Sequence, residues 1–179
     1  MKSLIVNDRF AFDINQVIVV SRKTTYREIG IAFKVLEKIT GNPAPLFYYY
    51  DFTNVQKAIQ HCESTPLISK LFIVDDALIQ GKKIKEILQQ FMLQAKNSST
   101  TIMLSMHSPF EDGIARSMRE AAVIIVALNQ SSHNLSTLFG SEIKNGSIED
   151  SLRNKGPHDQ VIIYNKFERT FYDNLYRRI

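Results

Sequence analysis

The sequence predicts an α/β fold of three layers, with a mostly parallel central sheet and helices on both faces. Apolar runs rich in β-branched residues alternate with amphipathic stretches, which is the pattern of repeated strand–helix units. Several runs are apolar on both faces, as in central strands that helices cover. At 179 residues the chain is long enough for one hydrophobic core, and we expect a single domain over residues 1–179.

The predicted strands are short apolar runs bounded by turn residues. In chain order they cover residues 3–6, 16–21, 45–51, 70–75, 100–106, 122–128 and 160–164.

Helices are predicted between the runs, from capping boxes and from apolar residues at helical spacing. The boxes are Thr25 with Glu28, Thr53 with Gln56, and Ser108 with Glu111. The first box predicts a helix over about residues 26–39, which Gly41 and Pro43 would end. The tail over residues 166–179 has apolar side chains at the spacing of a final amphipathic helix.

Composition limits the function classes. Cys62 is the only cysteine, which excludes an internal disulfide and a multi-cysteine zinc site. The sequence has neither a signal-peptide pattern nor an apolar run of the roughly 18 residues that a membrane span needs. We therefore expect no membrane span and a cytoplasmic location, in the host cytoplasm or a virus factory if the protein is viral.

The sharpest motif is the apolar run 71–74 followed by the adjacent carboxylates Asp75 and Asp76. In P-loop enzymes the first acid of such a pair holds the Mg²⁺ shell and the second polarises the attacking water. An acid pair that merely caps a strand is also common, and this interpretation stays open. A receiver domain does not fit, because the pair follows the fourth run and later runs offer no phosphoacceptor aspartate.

The order and spacing of the runs resemble the genome-packaging ATPases of large DNA viruses, of the FtsK/HerA type, over roughly four-fifths of the chain. The run 16–21 with Arg22 and Lys23 is similar to the family's second strand, and 71–76 resembles its Walker B strand. The run 101–107 ends in His107, where the family commonly has a glutamine sensor. Arg119 precedes an apolar run and resembles the family's arginine finger.

This resemblance implies functional residues and ligands. It implies Mg²⁺ and ATP as cofactors, with Asp75 as the metal ligand and Asp76, His107 and Arg119 beside it at the catalytic site. It also implies DNA as a partner, together with a protein partner or further copies of the chain. The net charge of +4 suits contact with DNA, for which Arg22, Lys23 and Arg116 are the candidates.

The chain departs from the family at the phosphate-binding (Walker A) loop. Only residues 7–15 separate the runs 3–6 and 16–21, which is too short for a Gly-rich loop and its helix. Gly81-Lys82-Lys83 lacks the upstream glycine and the hydroxyl residue of that loop. We therefore expect a degenerate or partner-dependent component of a DNA-packaging or DNA-translocating machine, without independent ATP hydrolysis.

Two other functions remain compatible with the same residues. One is a non-catalytic protein-interaction module on this fold, in which the acids only cap a strand. The other is a small-molecule enzyme that uses carboxylates at the strand ends, where open α/β sheets bind their ligands.

Overall fold

The computed structural model of the chain describes residues 14–76, 81–105, 113–128, 130–139, 161–173 and 178. The chain divides into two compact units, with the boundary between Ala121 and Ala122. The predictions for the strand at 3–6, for the capping box at Ser108 and for His107 lie outside the described residues. The single domain over residues 1–179 stays a prediction.

The first unit alternates strands and helices. Its strands are β1 (Gln16–Val20), β2 (Leu46–Tyr50), β3 (Lys70–Val74) and β4 (Thr100–Leu104), and its helices are α1 (Lys23–Thr40), α2 (Val55–Ser64), α3 (Lys82–Gln94) and α4 (Gly113–Ala121). Each of these strands lies within a predicted run, so the four predictions are confirmed.

The four strands form one parallel sheet in the order β2-β1-β3-β4. Every residue of β1 and β3 is buried, as expected for central strands that are covered on both faces. The chain first moves from β1 to β2 and then crosses back to β3. The order therefore reverses between β1 and β3, and open α/β sheets bind ligands at the carboxyl ends of the strands beside such a reversal.

Helices cover both faces of this sheet and complete the predicted three layers. On one face, Ile29 and Phe33 of α1 pack against Val17, Val19 and Ile73. The opposite face packs against α2 and α3, whose buried side chains include Ile59, Cys62, Leu88 and Phe91. The predicted α/β class with a parallel central sheet is confirmed.

The second unit is a small antiparallel sheet with one described helix. It contains β5 (Ile124–Leu128), α5 (Ser132–Phe139), β6 (Val161–Asn165) and β7 (Thr170–Tyr172), and the strands pair in the order β5-β6-β7. Leu135 and Phe139 of α5 pack against Ala127, Ile162 and Phe171.

The predicted helix over residues 166–179 is wrong where the structure describes this segment. Residues 166–169 form a turn, and Thr170–Tyr172 form the strand β7. The Asn165 Oδ1 atom accepts hydrogen bonds from the backbone N–H groups of Phe167 and Glu168, and the left-handed φ angle of +53° at Arg169 prevents a helix from continuing after this turn. Thr170, Phe171 and Tyr172 are residues that favour strands.

Two predicted helix starts also need correction. The helix α1 begins at Lys23 with Arg22 in the capping position, so Thr25 lies within the first turn and is not a cap. Before α2, the carboxylate of Asp51, not the Thr53 hydroxyl, accepts the hydrogen bond from the Asn54 N–H at 3.1 Å. Among the described residues, no helix has both the length and the apolar composition to cross a bilayer.

Candidate functional site

The carboxyl ends of the parallel strands bring several polar residues to one edge of the sheet. The strand pairing continues one residue past β1, β3 and β4. The Ser21 N–H donates to the Tyr50 carbonyl at 3.3 Å, the Asp75 N–H to Val20 at 3.1 Å, and the Ser105 N–H to Val74 at 2.9 Å. Ser21, Asp75 and Ser105 therefore lie side by side at this edge, and Asp75 is at its centre, beside the β1/β3 reversal.

Asp75 is held by the helix that follows the neighbouring strand. The Thr25 hydroxyl donates a hydrogen bond of 3.0 Å to Oδ2 of Asp75, although the two residues are fifty positions apart in the sequence. The Asp75 side chain is half-buried, so part of it faces solvent at the reversal point. The sequence-based prediction that this acid ends a central strand is confirmed.

Asp76 has an unusual backbone conformation. Its φ angle is +57°, in the left-handed region that non-glycine residues rarely adopt, although aspartate tolerates it better than most. The Asp76 N–H donates to the Ser105 hydroxyl oxygen at 3.4 Å, which links the turn after β3 to the end of β4. Backbone strain of this kind is concentrated at functional sites.

The N-terminus of α1 faces the same edge and adds positive potential. The capping residue Arg22 has no acceptor atom in its side chain, so the N–H groups of the first turn have no side-chain cap, and that turn contains no acidic residue. The backbone N–H groups of an N-terminal turn carry a partial positive charge. Arg22 and Lys23, whose side chains are exposed, add two positive charges at the start of this helix.

The donor atoms at this edge suit a hard cation. Asp75, Asp76 and Ser105 offer only oxygen atoms, which Mg²⁺ prefers. Within the part of the chain that the structure describes, no three His, Cys, Asp or Glu side chains form a metal-binding group. An all-protein cage is thus not built from these residues. Mg²⁺ that is bound together with a phosphate needs only one or two protein carboxylates.

The basic residues predicted for catalysis or DNA contact lie on two elements. Arg22 and Lys23 lie at the start of α1, near Asp75. Arg116 and Arg119 lie on α4, which contacts α3 through a hydrogen bond of 2.5 Å between Gln89 and Ser117. The Arg116 side chain is exposed and forms an ion pair of 2.9 Å with Glu120, whereas Arg119 is half-buried. Their roles remain predictions.

Sequence reasoning missed Thr25 and Ser105 as members of this edge. Thr25 has the local signature of a helix cap, and its contact with Asp75 depends on β1 and β3 being neighbours. Ser105 reaches Asp76 only because β4 pairs with β3. No local sequence signal contains this strand order, so neither contact could be predicted from the pattern alone.

Cys62 and His61 are adjacent but do not form a nucleophilic site. Cys62 is buried in the core, and this burial raises the pKa of its thiol to about 12, so the thiolate is not available at neutral pH. His61 packs edge-on against Tyr48, and its Nδ1 atom lies 3.0 Å from the Tyr50 hydroxyl. Both residues have structural partners.

A comparison of the sequence with known proteins finds no family model and no curated protein that matches it.

Proposed function

We propose that the edge around Asp75 binds the phosphate groups of a nucleotide together with Mg²⁺, in a non-hydrolytic or partner-dependent component of a DNA-packaging or DNA-translocating machine. The observation that carries the proposal is the position of Asp75. It ends the central strand β3 at the sheet reversal and is hydrogen-bonded to Thr25 in the first turn of α1.

The chemistry of the edge supports a ligand that carries both negative charge and Mg²⁺. The carboxylates of Asp75 and Asp76 would hold the cation or its water ligands, and bound Mg²⁺ would neutralise phosphate charge. The first turn of α1 and the side chains of Arg22 and Lys23 offer a positive surface for phosphate oxygens. An acid pair that only caps a strand does not require this positive surface next to it.

The proposed place in a DNA machine rests on the resemblance of the chain to packaging ATPases and on its net charge of +4. Without a phosphate loop, the nucleotide lacks the backbone cradle and lysine that support hydrolysis. The site would then bind nucleotide weakly alone and more strongly where another subunit adds phosphate contacts. Arg119 on α4 is the candidate for a residue that acts at such a subunit boundary.

The test is nucleotide binding by the purified chain with and without Mg²⁺. Fluorescence anisotropy of a labelled, non-hydrolysable ATP analogue measures the affinity in Mg²⁺ and in EDTA. We expect Mg²⁺ to strengthen binding and Asp75→Asn to weaken it about tenfold or more, which is the range seen when a metal site loses a supporting group.

Asp51→Asn is the matched control, because Asp51 follows β2 at the same edge and the substitution removes the same charge. Asparagine caps a turn about as well as aspartate, so the fold should tolerate it. We expect wild-type affinity for this variant. Equal binding in Mg²⁺ and EDTA, or equal losses in the two variants, would contradict the proposed site.

A further inference from the structure

The turn between β6 and β7 presents an exposed aromatic ring between two basic residues. Phe167 is 90% exposed, although phenylalanine is a residue that folding normally buries. The turn is fixed by Asn165, whose Oδ1 accepts from the N–H groups of Phe167 at 3.0 Å and Glu168 at 3.3 Å. The ring is thus held in solvent by a defined turn next to Lys166 and Arg169.

A concavity lies beside this turn, within the second unit. Its volume is about 290 Å³, and it is lined by Ile125, Leu138, Phe139, Tyr164, Lys166 and Arg169. The aromatic wall is well packed: the Phe139 and Tyr164 rings are 5.5 Å apart, and Tyr164 stacks on Phe171 at 4.5 Å. Phe139 and Tyr164 meet edge-on and are each 5% exposed, so they form the buried back of the concavity, and Lys166 and Arg169 give it positive charge.

Arg169 occupies a backbone position that favours glycine. Its φ angle is +53°, in the left-handed region, where an arginine is less favourable than glycine. Hairpin turns of this length commonly place glycine at the left-handed position. Glycine would be the more favourable residue for the backbone of this turn. The arginine instead adds a positive charge beside the concavity.

The one carboxylate of the turn has a hydrogen-bond partner within the same hairpin. The Glu168 carboxylate accepts a hydrogen bond of 2.5 Å from the Tyr172 hydroxyl, four residues further on. Lys166 and Arg169 line the concavity, whereas Glu168 does not. The turn therefore places two positive side chains at the concavity.

We propose that this turn, the hairpin site (Lys166, Phe167 and Arg169), binds single-stranded nucleic acid. A base stacks on the exposed ring of Phe167, and the phosphates beside that base contact Lys166 and Arg169. Proteins that bind single strands combine such aromatic rings with positive charge. Duplex DNA keeps its bases stacked inside, so the exposed Phe167 ring matches unpaired bases better.

A membrane surface is the other partner that an exposed ring beside basic residues could contact. A single apolar group gives only marginal membrane binding, and stable anchoring needs a second signal. The turn over residues 166–169 has one apolar residue, Phe167. The site therefore fits nucleotides better than lipid.

The experiment measures binding of a fluorescein-labelled oligothymidylate by anisotropy in EDTA, so that it does not depend on Mg²⁺-dependent nucleotide binding at Asp75. We expect Phe167→Ala to weaken binding by about 5- to 150-fold, the range of one base–aromatic stack. Arg169→Gly should reduce the salt dependence by a slope of about 0.7, the value for one phosphate contact on a single strand. Glycine suits the left-handed position, so this variant should keep its fold.

Leu67→Ala and Lys57→Ala are the matched controls, because Leu67 is 96% exposed and Lys57 is an exposed basic residue of α2. Both should bind like the wild type. Equal losses in the controls and the hairpin variants would overturn the proposal, and so would unchanged binding by Phe167→Ala. The proposal would also fail if Phe167→Ala reduced binding to phosphatidylserine–phosphatidylcholine vesicles but not to the oligonucleotide.

Discussion

The hydrogen bond between Thr25 and Asp75 joins the first turn of α1 to the end of β3. Side chains fifty residues apart meet here because β1 and β3 are neighbours in the sheet. A hydroxyl that donates to a carboxylate orients it, and second-layer contacts of this kind tune a metal ligand. Thr25 is therefore expected to act on the site through Asp75, without contacting a ligand itself.

Thr25→Val tests this contact, because valine keeps the shape of threonine and removes the hydroxyl. We expect the free energy of unfolding to fall by about 1 kcal/mol, a typical value for one hydrogen bond at a half-buried position. Mg²⁺-dependent nucleotide binding should also weaken. Thr24→Val is the control, since Thr24 is the exposed neighbour in the same turn. Urea unfolding measures both variants, and equal stability losses would contradict a specific role for Thr25.

His61 makes the stability of the fold depend on pH. Burial, and secondarily the positive charge of Lys70, lower the pKa of His61 below its ordinary value of 6.5. The unfolded chain therefore binds a proton more readily than the folded chain below about pH 6.5. The contribution of His61 to stability is therefore greatest above the pKa that this residue has in the unfolded chain, and it falls as the pH drops through that value.

We expect the urea midpoint to decrease between about pH 7 and about pH 5. His61→Gln keeps hydrogen-bonding capacity towards Tyr50 but cannot titrate, so its pH dependence should be shallower in this window. Identical slopes for the two proteins would show that His61 is not the group responsible.

At the scale of elements, the local sequence pattern identifies the strands, but it does not show which strands pair in the sheet. β1 and β3 are apolar at nearly every position, which identifies buried strands without any knowledge of the fold. In the tail, over residues 166–173, the local pattern predicts the wrong element. Phe167 and Phe171 are four residues apart, as on one face of a helix, yet one is 90% exposed and the other is buried in a strand. In so short a segment the Asn165 turn, not the apolar spacing, determines the structure.

The side-chain contacts of the candidate site also could not be predicted from the sequence, because they depend on which strands are neighbours. Asp75 was identifiable because an acid pair after an apolar run is a local signal. Its partner Thr25 and the Asp76–Ser105 contact depend on the order β2-β1-β3-β4, which is set by long-range packing. The sequence therefore predicts the carboxylates but not the residues that hold them.

The helix α1 is amphipathic, but part of its outer face is also apolar. Phe33 points into the core and is 6% exposed, whereas Ile39 on the same helix is 71% exposed. Phe33→Ala should reduce the free energy of unfolding by about 3–5 kcal/mol, since it removes a buried ring and leaves a cavity. Ile39→Ala should change it by no more than about 0.5 kcal/mol. Thermal and urea unfolding check both values, and a large effect of Ile39→Ala would mean that this face is covered in solution.

At the scale of the whole molecule, the two proposed sites lie in different compact units of the chain. The Asp75 edge belongs to the parallel sheet and would need Mg²⁺, whereas the hairpin site belongs to the antiparallel sheet and would not. A protein with both sites could couple nucleotide binding in one unit to nucleic-acid binding in the other. The two binding tests use different ligands and metal conditions. A result that contradicts one proposed site therefore leaves the other proposal standing.

The last prediction concerns ATP turnover by the 179-residue chain. We expect hydrolysis at the background rate in Mg²⁺, measured as released phosphate, although the analogue binds. Phosphoryl transfer depends mainly on positioning and on stabilisation of charge by the phosphate loop and its lysine. The sequence contains no Gly-x-x-x-x-Gly-Lys-Ser or Gly-Lys-Thr segment, and Asp75 and Asp76 alone cannot orient the terminal phosphate. Robust turnover that Asp76→Asn abolishes would show that these residues form a complete catalytic site without that loop.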